Sequence, residues 1–118
     1  MIREFVHLQH FEKSWKALGL SDEELRALEN IILGKPDIGE LIQGTGGLRK
    51  TRASIDNRGK SSGIRVLYTD FEFYKKTYFL FAYPKNELET ITDKQKKMFR
   101  NMINELLNEL KIKKDVKQ

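Results

Sequence analysis

The stretch that most constrains this chain is TYFLFAYP, Thr77 to Pro84. It alternates Tyr78, Leu80 and Ala82 against Phe79, Phe81 and Tyr83, so a strand here is apolar on both faces. Such a strand belongs in the middle of a sheet, with helices laid over one side. Two more strands fit beside it. GIRVLYTDF alternates Ile64, Val66 and Tyr68 against Arg65, Leu67 and Thr69. LRKTRASI sets Thr51, Ala53 and Ile55 on one face and Lys50 and Arg52 on the other. If the packable face meets the helices, Lys50, Arg52 and Arg65 are left on an open, cationic concavity, and Arg49 goes with the packed face. The segment EFVHL can add an edge strand. The links are DNRGKSSG, rich in turn formers, and DFEFYKK.

Helices frame this sheet. Phe11, Trp15 and Leu18 recur at helical spacing, with Gly19 as a C-cap. In LSDEELRALENIILG, Ser21 and Glu24 form a capping box, Leu20 staples to Leu25, and Gly34 and Pro36 end the helix. The short connection predicts a helical hairpin. Thr92 and Gln95 make a second capping box before an amphipathic helix carrying Met98, Met102, Leu106 and Leu110. Lys94, Lys96, Lys97 and Arg100 crowd its first turns, where positive charge opposes the helix dipole. That run fits either a solvated face or an extension of a binding surface. The expected fold class is α+β, in the order β-α-α-β-β-β-α, with a small antiparallel-rich sheet, an N-terminal helical hairpin and a C-terminal helix. Residues 1–112 read as a single domain and 113–118 as a frayed basic tail.

Several chemistries are excluded by inventory. The chain has no cysteine, hence no disulfide framework, thiolate metal site or thiol nucleophile. His7 and His10 lie three apart without a fitting acidic companion and read as surface or packing residues rather than metal ligands. GTGG, Gly44 to Gly47, precedes a strand rather than opening a helix and lacks the Gly-Lys-Ser/Thr ending of a phosphate loop, so it reads as a flexible turn. There is no GxSxG elbow. No stretch approaches the ~20 apolar residues of a membrane span, and Glu4 and His7 interrupt the N-terminal run a signal peptide needs. A cytoplasmic protein is expected. A formal charge of +5 and a pI near 9.4 favour a polyanionic partner but also fit solvated lysines.

Lysine, arginine and tyrosine suit one reaction, cleavage of RNA by its own 2′-hydroxyl. That step needs a base at the 2′-OH, cations on the crowded phosphorane and a proton for the departing 5′-oxygen. Arginine serves as a bidentate clamp. Lysine becomes a base when neighbouring cations disfavour its charged form, and Lys50 stands in sequence between Arg49 and Arg52. Tyr83 offers a ring on which a base can stack. The same cations also fit a surface that guards an open sheet against aggregation.

GGLRKTRAS, then RGKSSGIRVLY, then YFLFAYPKNELETIT before the final helix resemble the RelE/HigB-type toxins of bacterial type II toxin–antitoxin modules, over roughly Gly46 to Leu110. The resemblance implies a RelE/ParE-like fold. It implies a metal-independent, ribosome-dependent mRNA endoribonuclease (an mRNA interferase) that cuts in the A site of the 70S ribosome and inhibits translation, with no cofactor. It also implies a cognate antitoxin, frequently a helix-turn-helix, HigA-like protein through which the complex reaches operator DNA. Carried over by position, Lys50 and Arg52 hold and activate the RNA and Arg65 stabilises the scissile phosphate. Lys85, with Asn86 beside it, supplies further cationic or polar contact. Arg58 and Lys60, on the turn, grip flanking phosphate, and Lys94 extends the surface. Glu87 is either part of this set or a loop carboxylate balancing Lys85. The C-terminal tyrosine that some RelE members use has no counterpart, which leaves the general acid unassigned. The alternatives are a ParE-like inhibitor of DNA gyrase and a non-catalytic RNA-binding or regulatory domain.

Overall fold

The computed structural model describes residues 2–53, 63–87 and 90–116. The chain runs β1 (Glu4–His7), α1 (Gln9–Ala17), α2 (Asp22–Gly34), β2 (Glu40–Leu41), β3 (Arg49–Arg52), β4 (Ile64–Phe71), β5 (Lys76–Pro84) and α3 (Asp93–Val116). One five-stranded sheet is ordered β1-β5-β4-β3-β2. β1 pairs parallel to β5, and every other neighbouring pair is antiparallel. β5 is interior to the sheet, as its two apolar faces require, and EFVH does form an edge.

The helices start where their caps dictate. The Ser21 hydroxyl accepts the Glu24 N–H while the Glu24 carboxylate accepts the Ser21 N–H, opening α2. Thr92 and Gln95 repeat the exchange at the head of α3. Gly19, at a φ of 73°, turns the chain out of α1. The Trp15 indole donates to the Ser21 carbonyl at 3.0 Å, tying the α1–α2 connection to the core.

Three expectations change. First, helices cover both faces of the sheet. Phe11, Trp15, Leu28 and Ile32 of α1 and α2 pack with Val66, Tyr68, Phe79 and Ala82 on one side. Phe99, Ile103 and Leu110 of α3 pack with Leu48, Leu67, Leu80 and Tyr83 on the other. The α3 stripe needed an apolar surface, and the second face of β5 supplies it. The cations therefore share a face with α3 rather than lining a bare sheet. Second, the alternation in β5 breaks. Leu67 faces Phe81 and Tyr68 faces Phe79, so Leu80 is an extra residue at a β-bulge. Leu80 and Tyr83 then fall on the α3 side, Phe79 and Ala82 on the other. The Ala82 N–H is taken by the Ser14 hydroxyl of α1 at 3.0 Å, beyond the end of β1. Third, α3 continues to Val116, so no helix end marks a boundary at residue 112.

Two further links have defined forms. The DFEFYKK link is one 3-10 turn, Glu72–Tyr74, closed by Lys75 in the left-handed region. The GTGG segment is a pinned turn rather than a loose one. Thr45 is buried, its hydroxyl donates to the Ile42 carbonyl and accepts the Leu48 N–H, and Thr69 donates to the Gly47 carbonyl. The rest of LRKTRASI beyond Ala53, and the DNRGKSSG turn with Arg58 and Lys60, lie outside the described residues. No helix among the described residues is long and apolar enough to cross a membrane.

Candidate functional site

The site is assembled by a buried tyrosine. The Tyr68 hydroxyl, reaching from β4, accepts the Gly39 N–H at 2.9 Å and donates to the Pro36 carbonyl at 2.8 Å. Gly39 must be glycine, because a Cβ there would stand 2.7 Å from Tyr68 Cε1 and 3.1 Å from Arg49 Cβ. Arg49 closes the same loop by donating to the Gly39 carbonyl at 2.8 Å. This is the structural task of Arg49, on the face away from Lys50 and Arg52. It also removes Arg49 from the cations expected to flank Lys50. Burial in this clamp raises the Tyr68 phenol above its ordinary value, against the Gly39 hydrogen bond and the Arg49 charge, which lower it. The hydroxyl is thus held as a neutral donor.

The clamped loop delivers Glu40 into β2, directly opposite Lys50 of β3. One strand further, Arg52 of β3 lies opposite Arg65 of β4, and Arg65 lies opposite Tyr83 of β5. These residues share the α3 face of the sheet, and Glu40, Lys50, Thr51, Arg52 and Arg65, with Ile38, line an open cleft of about 420 Å³. Like charges placed directly across a ladder repel. An anion seated between the Arg52 and Arg65 guanidiniums would offset that repulsion. A carboxylate and an ammonium at the same cleft can exchange protons with a ligand held there. Among the described residues, no three His, Asp or Glu side chains converge as a metal site.

The other expected residues are placed differently. Tyr83 is 2% exposed and packs its ring near-parallel to Phe81, at 6.1 Å, inside the α3-side core. Its phenol is raised by burial, with Arg65 pulling the other way. In this arrangement the Tyr83 ring is covered by the core rather than open to a stacking base. Lys85 and Asn86 are exposed on the turn after β5, at the Arg65 end of the strand pair, where the Lys85 N–H reaches the Gly63 carbonyl. They stand outside the cleft lining, as does Glu87. Lys94 is exposed on the first turn of α3, and it is Lys96, two residues on and on the opposite side of that helix, that lines a neighbouring recess. His7 is a packing residue, stacked on Phe79 and bonded to Glu29 at 2.7 Å.

Sequence reasoning missed Glu40. A two-residue strand carries no periodicity, and the Glu40–Lys50 pairing is a tertiary fact. The available signal was Gly39 followed by ELI and a glycine-rich turn, which reads as a hairpin arm before β3.

Compared with known proteins, residues 4–116 match a family model described as the RelE toxin of the RelE/RelB toxin–antitoxin system. The chain belongs to the RelE toxin family. As a RelE-type toxin it is one half of a toxin–antitoxin pair, and its partner is a cognate antitoxin. A variant of Escherichia coli toxin RelE with two arginine-to-alanine substitutions, solved in the free state, superposes with a TM-score of 0.56. The two are 18% identical, and the match covers 75% of this chain and 90% of that one. At that identity the likeness speaks to fold, and this RelE-type toxin shares its mixed α+β architecture.

Proposed function

We propose that this RelE-type toxin is a ribosome-dependent endoribonuclease that cuts mRNA in the A site of the 70S ribosome and so arrests translation in the cytoplasm. One observation carries the reading: Arg52 and Arg65 oppose each other across the ladder, beside Lys50, in an open cleft. A protein target does not require that pairing, whereas a phosphodiester rewards it. In the reaction, Lys50 or Glu40 takes the proton of the ribose 2′-OH. The O2′ attacks phosphorus while Arg52 and Arg65 hold the phosphorane oxygens. The P–O5′ bond breaks and O5′ takes a proton from water while the base returns its own to solvent, leaving a 2′,3′-cyclic phosphate and a 5′-hydroxyl. Lys85, Asn86, Arg58, Lys60 and Lys94 contact flanking mRNA or ribosomal RNA backbone, and the antitoxin is of the helix-turn-helix, HigA-like kind.

The test is to incubate the purified toxin with programmed ribosomes and map mRNA 5′ ends, beside Arg65→Ala. Codon-phased cuts by the wild type, reduced at least a hundredfold by Arg65→Ala with antitoxin binding retained, are expected. Inhibition of gyrase supercoiling without cuts would establish the ParE-like alternative, and neither effect a non-catalytic domain.

A further inference from the structure

The shortness of β2 leaves part of β3 without a neighbour. The Ile42 N–H donates to the Leu48 carbonyl at 2.9 Å. In an antiparallel ladder alternate residues turn their main-chain groups to the same neighbour, so Leu48, Lys50 and Arg52 face the β2 side. On the other side the Ala53 N–H donates to the Ile64 carbonyl at 3.1 Å, and Thr51 likewise faces β4. β2 begins at Glu40, opposite Lys50. Ile38 is next in line to meet Arg52, but its N–H goes to the Lys35 carbonyl at 2.9 Å, in the loop that Tyr68 and Arg49 hold. Among the described residues, the Arg52 N–H and carbonyl therefore have no main-chain partner.

This bare edge borders the cleft. Ile38 and Glu40 line the cleft on one side of the gap, and Lys50, Thr51 and Arg52 on the other. An open strand edge ordinarily meets water; this one lies beside the Lys50, Arg52 and Arg65 side chains. We propose that the Arg52 main-chain N–H is a catalytic hydrogen-bond donor to a non-bridging oxygen of the scissile phosphate. A peptide N–H fixed in a sheet does not reorganise as negative charge grows on the phosphorane, which is the property of an oxyanion hole. The carbonyl on the same edge repels an anion, which sets the phosphate on the Lys50 side of the N–H. The Tyr68 clamp then serves the reaction twice, presenting Glu40 and keeping Ile38 off Arg52. This inference rests on the nuclease reading of the cleft, and it adds a group that alanine substitution at Arg52 leaves in place.

The experiment replaces the Thr51–Arg52 amide by an ester, which deletes this N–H and keeps every side chain. The full chain is joined at Ala53, where a ligation cysteine is desulfurised back to alanine. On programmed ribosomes, single-turnover cutting should fall about a hundredfold, with the toxin concentration for half-maximal rate unchanged. An ester at Lys50–Thr51, which deletes an N–H facing β4, controls for weakening of the sheet and should cut at close to the wild-type rate. In the unaltered chain, NMR should show the Arg52 amide exchanging with solvent faster than those of Thr51 and Ala53, and moving downfield as inorganic phosphate is added. Cutting by the Thr51–Arg52 ester at the wild-type rate overturns the inference and leaves the nuclease reading standing. So does a phosphate titration that leaves the Arg52 amide unmoved, and that titration decides the matter if the ester chain fails to fold. Absence of cutting by the wild type removes the nuclease reading, and the inference with it.

Discussion

Tyr68 links the core to the site through one hydroxyl. Its ring packs edge-on against Phe79, and its oxygen organises the loop that presents Glu40. Tyr68→Phe leaves the buried Gly39 N–H without its acceptor, and a loss of about 1–3 kcal/mol is expected in urea unfolding. Glu40 should lose its fixed position as well, lowering cleavage more than stability alone predicts. The tyrosines also set a pH dependence. Burial raises the Tyr68, Tyr78 and Tyr83 phenols in the folded chain. In the unfolded chain they ionise near pH 10. Their contribution is full below about pH 10 and is lost as pH rises from there through the raised folded values. Unfolding curves recorded between about pH 8 and about pH 11 should show that decline, with a shallower slope in Tyr68→Phe.

At the scale of elements, the caps were legible and the bulge was not. Ser21-x-x-Glu24 and Thr92-x-x-Gln95 are local chemistry, written within four residues, and both boxes form. The extra residue at Leu80 depends on which neighbours β5 finds, and TYFLFAYP carries apolar side chains in either register. Likewise an apolar stripe predicts that α3 packs, but not against which face of the sheet. The candidate site shows the same division. Lys50, Arg52 and Arg65 followed from strand alternation, while Glu40 and the burial of Tyr83 required the register itself. Two substitutions separate local from tertiary contributions. Ser21→Ala removes a cap and should cost about 1 kcal/mol. Ser14→Ala strips the buried Ala82 N–H of its acceptor and should cost about 1–3 kcal/mol, with faster hydrogen exchange at Ala82.

For the whole molecule, the two ends of the central hairpin carry different loads. At the β4–β5 turn end, the Arg3 guanidinium grips Asp70 through two bonds, of 2.8 and 3.2 Å, while Thr77 donates to the same carboxylate. Both charges are nearly buried, and Asp70 raises Arg3 further above its already high value. Asp70→Ala removes the main partner of that guanidinium and should cost about 1–3 kcal/mol, read by chemical denaturation. At the far end, Arg52 and Arg65 lie opposite each other across the ladder and line the open cleft, where we place the phosphate. We propose that this end cleaves RNA by attack of the RNA's own 2′-hydroxyl. Ribosomes programmed with an mRNA carrying a single 2′-deoxy nucleotide on the 5′ side of the mapped scissile phosphate test it most directly. Cleavage at that phosphate should vanish while cuts at other codons persist. Cleavage there at the all-ribose rate would rule out the 2′-hydroxyl as the nucleophile.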